Sequence, residues 1–437
     1  MTDQRKSGFF LTISVLILVL IVSATMITSG TASASDEKSL DANTLFYVPK
    51  PNLGALQQIA TLTANGNFAD AGLIKQLIDL PQAVWFTSGS PKAVAQNVKN
   101  TVMRASGKGT IPVLVAYNIP FRDCAQFSAG GATSVAEYKA WIDGFASGIG
   151  DKPALVILEP DGLGIIPWYK QFRGLPSQAG SYEWCQPAEA DEGTAADDRF
   201  SMLNYAVDAL KEHSNVRVYL DGTHSQWLGA GDAAHRLVQA GIERADGFFL
   251  NVSNYQPTEH LIKYGTWISK CIWFATDPGS WGNGHFDWCA SQYYPANPKD
   301  FSTWGLTDQW YADNVESQTW VPYPGDAGLT HFIIDTGRNG QGAWQPPSGV
   351  YPDPQDWCNP PDRGVGYRPT ADTGLTLLDA YLWVKIPGES DGQCTRGLGS
   401  GGSTIDPEWG LIDPAAGKWF PEMALDLVHN ANPPLEP

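Results

Sequence analysis

Much of what usually marks a function is missing from this chain. It has no C-x-x-C pair and no H-E-x-x-H, and its seven His are scattered, which argues against a structural or catalytic zinc site. No G-x-S-x-G elbow and no Walker-type loop occurs, so neither a strand-to-helix serine nucleophile nor a phosphate cradle is indicated. Gly397–Gly402 formally matches G-x-G-x-x-G, but it neither follows a strand nor opens a helix and reads as a flexible loop. Basic residues are scarce: 28 Lys and Arg stand against 46 Asp and Glu, a net charge of −18. That balance disfavours nucleic acid or an anionic membrane as the main partner. No Pro/Ser/Thr-rich linker or internal repeat sets off a second module, and no cofactor signature is present. Charged residues make up 17% and hydrophobic residues 43% of 437, so wholesale disorder is excluded and a large core is possible.

The excess lies in aromatic residues: 17 Trp, 16 Tyr and 17 Phe. Either the core or a binding surface must be unusually aromatic. The N-terminus reads as an export signal, with Arg5 and Lys6, an apolar run from Phe9 to about Ile27, and Thr31-Ala32-Ser33-Ala34 as the cleavage site. The alternative for that run is an uncleaved membrane anchor. Residues 1–34 are therefore expected to leave a mature domain of residues 35–437 with a charge near −19, secreted, with no membrane contact after cleavage. All six cysteines (Cys124, Cys185, Cys271, Cys289, Cys358, Cys394) follow the signal. An even count in an exported chain favours disulfides, with fifteen pairings open on sequence alone.

Short β-branched or aromatic runs recur at Ala83–Phe86, Ile111–Tyr117, Ala154–Leu158, Val216–Leu220, Gly247–Leu250, His331–Ile334 and Ala380–Val384. Helical periodicity fills most gaps, at Leu56–Ile78, Pro91–Ser106, Val135–Ile149, Phe200–His213, Ala233–Ala245 and Glu259–Lys270. Strands with near-continuous apolar character alternating with helices predict an α/β fold, with a parallel sheet covered by helices. About seven such units suit a distorted (β/α) barrel in a single domain better than an open sheet. Residues 271–324 read as an aromatic-rich insertion and Gln345–Pro361 as a Pro-rich loop.

The residues just past the strands are mostly acidic or amide: Tyr117 and Asp123, Glu159 and Asp161, Asp221, Asn251 and Asn254, Asp335, then Lys385, Glu389 and Asp391. In parallel α/β barrels the strand C-terminal ends build the active site, so these side chains should share one rim. Any one carboxylate alone is explained as a helix cap or loop ligand. Several carboxylates among aromatic rings, without metal or cofactor motifs, point to carbohydrate chemistry. Glycosidic cleavage needs one carboxylic acid and a second group that directs water or attacks carbon, and Trp and Tyr offer flat faces to sugar rings. Asp161 follows a strongly apolar strand, where burial and neighbouring carboxylates would raise its pKa as an acid requires.

Six ordered blocks then carry a resemblance. Ala116-Tyr117-Asn118-Ile119-Pro120-Phe121-Arg122-Asp123-Cys124 resembles the Y-x-x-P-x-R-D-C motif of glycoside hydrolase family 6, the inverting β-1,4-glucanases, and Leu158-Glu159-Pro160-Asp161 resembles its general-acid motif. Tyr219-Leu220-Asp221-Gly222-Thr223-His224 is similar to its Y-x-D-A-G-H, departing at Gly222 and Thr223. Asn251–Tyr255, Ile334–Gly340 and Trp383–Gly392 resemble three further blocks in order, so the likeness runs from about Trp85 to the C-terminus. The resemblance implies a distorted barrel with Asp161 as general acid. It implies Asp123 as its electrostatic partner and water organiser, and Asp391 as the candidate base. Ser128 offers an alternative proton path through Asp123. It further implies Tyr117 against the distorted sugar, and Trp85, Asp221, His224, Trp227, Asn254, Trp357, Lys385 and Glu389 around the substrate, with Trp344 a further contact. Inversion implies acid and base carboxyls roughly 6.5–9.5 Å apart.

The implied disulfides are Cys124–Cys185 and Cys358–Cys394, leaving Cys271 and Cys289 as the third pair. About half of the 17 Trp are expected to be core. No cofactor, no metal and a monomer are expected, with a β-1,4-glucan polysaccharide as partner. Cys124–Ala132 resembles the open loop of endo-acting members, whereas Asp356-Trp357-Cys358-Asn359 and the segment from Cys394 through Phe420 resemble exo-acting cellobiohydrolases. The loop over the active site favours the endo mode. A non-catalytic polysaccharide-binding protein and a retaining hydrolase are the alternatives. The first is opposed by the presence of Asp123, Asp161 and Asp391 together.

Overall fold

Runs of β-branched and aromatic residues form seven strands in the computed structural model, which describes residues 40–170, 180–402 and 404–435. The expected signal, residues 1–34, lies outside the described residues. The strands are β1 (Val84–Phe86), β2 (Val113–Ala116), β3 (Ala154–Leu158), β4 (Val216–Asp221), β5 (Gly247–Leu250), β6 (His331–Asp335) and β7 (Leu378–Leu382). The helices are α1 (Leu53–Ala64), α2 (Phe68–Asp79), α3 (Pro91–Ser106), α4 (Val135–Ile149), α5 (Ala195–Lys211), α6 (Ala230–Gln239), α7 (Thr258–Thr276), α8 (Gly305–Tyr311) and α9 (Pro421–His429). All strand pairs are parallel and follow chain order from β1 to β7.

Both faces of this sheet are buried, which is why the strands read as continuous apolar runs. Alternate residues divide between two cores. Val113, Val115, Leu155, Ile157, Tyr219, Phe249 and Ile333 fill the inside of the curl. Leu114, Val156, Leu158, Leu220, Phe248 and Phe332 face the helices. The sheet curls into a distorted barrel. Among the described residues no ladder joins β1 to β7. The seam is spanned instead by Ala83 N–H donating to Trp383 O at 3.0 Å and Trp85 Nε1 donating to Val384 O at 2.8 Å. A separate cluster of Ile74, Leu77, Trp383, Phe420, Met423 and Leu427 packs α1, α2 and α9 beside that seam.

Pro91–Ser106 and Val135–Ile149 form the helices expected, each entered through a serine cap: Ser90 accepts from Ala93 N and Ser134 from Glu137 N. The single helix expected over Leu56–Ile78 is two, broken at Asn65–Asn67, where Gly66 takes φ 80°. The last strand lies two residues earlier at each end than its expected run Ala380–Val384, and Trp383 just beyond it donates its indole N–H to Tyr367 O. Helix α7 runs on to Thr276, so the aromatic-rich insertion starts as helix. The disulfides are Cys124–Cys185, Cys271–Cys289 and Cys358–Cys394. Among the described residues no helix is long and apolar enough to cross a membrane.

The strand ends are bound to one another through Asp335, which is 2% exposed. Its carboxylate accepts from Gly337 N (2.9 Å), Val384 N (3.2 Å), Lys385 N (2.9 Å) and Ser253 N (3.4 Å), so three loops share one acceptor. Asp335→Ala leaves these donors without a partner and is expected to cost about 3 kcal/mol or more of unfolding free energy. A urea midpoint shift worth less than about 1 kcal/mol would show that the clamp is dispensable.

Candidate active site

The loop after β2 is strained. Phe121, Asp123, Cys124 and Ala125 all take positive φ (57°, 58°, 45° and 70°), a conformation that persists only where surroundings impose it. The Cys124–Cys185 disulfide and Arg122 impose it here. The Arg122 guanidinium lies 4.5 Å over the Tyr117 ring and donates to Ser128 O at 2.8 Å and Thr87 O at 2.9 Å. Asp123 accepts from Ser128 N at 2.6 Å. Tyr117 meets Trp85 edge to face at 5.4 Å.

The loop after β3 is also strained, with Glu159 at φ 52° and Asp161 at φ 62°. It is held from three sides. Buried Glu159 accepts from Asn118 N (2.9 Å) and Ile119 N (3.0 Å), tying the β2 and β3 ends together. Buried Arg199 of α5 donates to Gly162 O and Ile165 O (2.7 Å each) and Pro120 O (2.9 Å). Asp221, at the end of β4, accepts from Leu163 N (3.1 Å), Gly164 N (3.2 Å) and Thr223 N (2.9 Å). Gly164 must lack a side chain, since a Cβ there would sit 2.5 Å from Trp227 Cη2.

Asp391, on the opposite wall, is surrounded by donors. Arg338 Nη1 reaches its Oδ2 at 2.8 Å, Asn359 N at 3.0 Å and Tyr255 Oη at 3.2 Å, while Lys385 Nζ stands 3.2 Å from Oδ1. These neighbours decide its charge. Burial pushes its pKa up, but Arg338, Lys385 and the hydrogen bonds outweigh burial and hold it below the ordinary value. Asp161 has the reverse balance. Burial raises its carboxyl well above the usual range, the charges of Asp221, Asp123 and Asp391 add to that, and Lys385 opposes it. Asp123 is pushed up to about 6 by burial and by Asp391, against the Ser128 N–H and Arg122. Asp161 and Asp391 are thus shifted in opposite directions by their surroundings.

Between the walls runs a cleft of about 680 Å³. Asp123, Asp161, Asp391, Tyr117, Trp85, His224, Trp227, Asn254, Trp357, Lys385 and Glu389 all line it, with Ser128 and Trp344. Asp221 does not: it sits behind the Asp161 loop as clamp and charge. Burial lowers the His224 pKa to about 4, and its Nδ1 accepts from Gln226 N at 3.2 Å, so neutral His224 keeps Nε2–H free to donate. Glu389 accepts from Asn52 Nδ2 at 2.7 Å. Phe127 leans from the β2 loop onto Trp357, ring centroids 5.9 Å apart, and a Cβ on Gly392 would lie 2.5 Å from Phe127 Cβ.

Sequence reasoning gave no role to Arg338, Tyr255 and Asn359, which hold Asp391, or to Arg122, which holds a strained loop, although all four lie in its quoted blocks, and it passed over Arg199. A charged residue at an apolar helical position, as Arg199 is between Ala195 and Leu203, was the available signal. It also passed over Trp184, 54% exposed on the cleft wall beside Cys185. Among the described residues one group of three His, Cys, Asp or Glu side chains is close enough to share an ion: Cys394, Asp406 and Asp413, outside the cleft. Cys394 is committed to a disulfide with Cys358 and offers no thiolate.

The family model for glycosyl hydrolases family 6 matches residues 41–431. Endoglucanase A of Cellulomonas fimi is 32% identical over 363 residues, covering 83% of this chain and 57% of its own length. Endoglucanase 1 of Streptomyces halstedii is 30% identical over 402 residues, 91% of this chain and 94% of its own. Among solved structures, the endoglucanase Cel6 of Mycobacterium tuberculosis, in complex with methyl-cellobiosyl-4-deoxy-4-thio-β-D-cellobioside, matches with a TM-score of 0.60 and 31% identity. That match covers 89% of this chain and 98% of the other.

The buried carboxyls couple stability to pH. Burial raises Asp123, Asp221 and Asp335 to about 6 and Glu159 to about 7. Groups raised in the fold contribute stability that is complete below their unfolded pKa and is lost as pH rises through the folded value. Asp391, depressed in the fold, contributes above its unfolded pKa and loses that only as pH falls through its lower folded value. The expected outcome is a melting temperature that declines between about pH 4 and about pH 7. Calorimetry showing a steady rise across that interval would contradict it.

Proposed function

The chain belongs to glycosyl hydrolase family 6, and from that membership we propose that it is a secreted β-1,4-glucanase that cleaves internal bonds of cellulose and related β-glucans with inversion. The observation that carries this reading is the unequal treatment of the cleft carboxyls. Asp161 is held protonated without a cation of its own, facing Asp391 held ionised by Arg338 and Lys385. Asp161 donates its proton to the glycosidic oxygen as the bond to C1 breaks. Asp391 supplies the fixed negative charge that stabilises the oxocarbenium-like ring. A carboxylate gripped by two cations is a weak base. The attacking water passes its proton instead toward Asp123, pushed up to about 6 and joined to the loop through Ser128. Tyr117, braced by Arg122 and Trp85, bears on the sugar at the cleavage point. Trp85, Trp227 and Trp357 offer stacking faces, and His224, Asn254, Lys385 and Glu389 offer polar contacts. Residues 1–34 serve as the export signal.

An exo mode, releasing cellobiose, is the second reading. It is favoured by the contact of Phe127 with Trp357 and Gly392, which brings the β2 loop to the opposite wall.

Asp161→Asn is expected to lower kcat on soluble carboxymethyl or mixed-linkage glucan by about 10²–10⁴-fold while binding persists. Retained activity would sink the assignment. Proton NMR of the first-formed product is expected to show the α-anomer, and a β-anomer would mean a retaining enzyme. On carboxymethyl-cellulose, viscosity should fall well ahead of reducing-end release. A parallel course would favour the exo mode.

A further inference from the structure

Behind Asp391 lies a second buried polar layer, contributed by a C-terminal segment that reaches the cleft only further on, at Ala416 and Gly417. Asn359 joins the two. It sits at φ 39° with no exposure, and its contacts to Asp391 are reciprocal: Asn359 N donates to Asp391 Oδ2 at 3.0 Å, and Asp391 N donates to Asn359 Oδ1 at 2.8 Å. With Oδ1 taken, Nδ2 must find acceptors on the far side. It donates to Asp413 Oδ2 (2.8 Å), Gly392 O (2.9 Å) and Ser390 Oγ (3.0 Å). The Asn359 carbonyl accepts from Trp409 Nε1 (2.7 Å) and Arg396 Nη2 (3.0 Å).

Asp413 is the anchor of this layer. It is 1% exposed and touches Asp406, which is fully buried and paired with Arg396 at 2.7 Å and 3.1 Å. Arg396 neutralises Asp406 and no cation pairs with Asp413, whose Oδ1 receives no donor. Two adjacent buried carboxylates with one cation are satisfied by one shared proton, carried on Asp413 and directed at Asp406. The other charged groups facing the layer are Asp391 across Asn359, and Asp356, Tyr351 and Glu408 toward Arg396 and Asp406.

We propose that Asp413 is a positioning residue for the cleft: by accepting from Asn359 Nδ2 it holds Asn359 in the one orientation whose backbone N–H and Oδ1 fix Asp391. This rests on the reading of Asp391 as the charge that stabilises the reacting ring. Asp413 and Asn359 do not themselves line the cleft, whose stacking faces are Trp85, Trp227 and Trp357. Loss of the anchor therefore reduces kcat and leaves KM nearly constant. Burial and the charge of Asp406 push Asp413 up to about 7, against Asn359 and Arg396. As pH rises through that value the shared proton leaves, the two carboxylates repel, and the anchor weakens.

The amide of Asp413→Asn reproduces the protonated acid, with its oxygen toward Asn359 and its NH₂ toward Asp406. Asp413→Ala reproduces neither. With the full chain on carboxymethyl-cellulose or a chromogenic cello-oligosaccharide, folded Asp413→Ala is expected to lose about 10- to 100-fold in kcat with KM within about twofold. Asp413→Asn is expected to keep at least about half of kcat, with its alkaline limb extended by about one pH unit. Crystal structures supply a readout besides rate: Asn359 and Asp391 displaced in the alanine variant and in place in the asparagine variant. Wild-type kcat with Asp391 undisturbed in Asp413→Ala overturns the proposal, as does an asparagine variant as impaired as the alanine one. Asp391→Ala, measured in parallel, separates the two readings. If it remains active, the role of Asp391 falls. If it is inactive while Asp413→Ala is normal, the role of Asp413 alone falls.

Discussion

Carboxylates crowded into a water-poor wall repel each other and resist ionisation, and the strand ends of this barrel are arranged around that repulsion. Ionising every one of Asp123, Asp161, Asp221 and Asp391 together would be prohibitive. The fold resolves this by unequal supply. Asp391 receives two cations and an amide N–H, Asp221 receives three amide N–H groups, and Asp123 receives one with a neighbouring guanidinium. Asp161 receives no cation of its own and keeps its proton. Carboxyls shifted in opposite directions thus arise from one residue type, differentiated only by neighbours. The strained φ values on the β2 and β3 loops are the geometric counterpart, because they turn these side chains toward one another.

Periodicity in the chain was enough to read the parallel sheet, since both of its faces are buried and the strands stand out as unbroken apolar runs, whereas the barrel rested on the number of units and on the family resemblance. Two helices were bounded correctly where a serine cap and a period-3.6 stripe coincide. The single helix over Leu56–Ile78 was misread because apolar residues continue in phase across Asn65–Asn67, where Gly66 breaks the backbone. For the site, the strand-end rule gathered the carboxylates but could not tell a wall residue from a buttress. Asp221 and Asp161 look alike in sequence and differ only in which way the loop folds over them. Arg338 and Asn359 stood in quoted blocks without a role, and Arg199 in none, because an isolated Arg or Asn is ordinarily solvated. Its burial is a property of long-range packing.

The aromatic excess also divides by role. Six of the 17 Trp are buried, four are exposed and seven lie between. The buried ones include Trp141 and Trp267 under helices, and Trp383 beside the seam. The intermediate ones include Trp85, Trp227 and Trp357, each with a face on the cleft and another against protein. That partial burial is what a stacking surface requires: a ring fixed from behind loses little freedom when a sugar settles on it.

The seam between β1 and β7 carries a consequence for how the chain comes to be active. Trp85 and Val384, which close it, are separated by 299 positions. The ring of strands thus depends on one of the most distant pairings in the chain, whose loop-closure entropy is met only late. During synthesis, N-terminus first, Asp161 exists long before Lys385, Asp391 and the segment behind them emerge. A ribosome-bound fragment therefore carries Asp161 without its opposite wall. The cleft, lined from Trp85 to Gly417, is complete only when the two ends of the barrel meet.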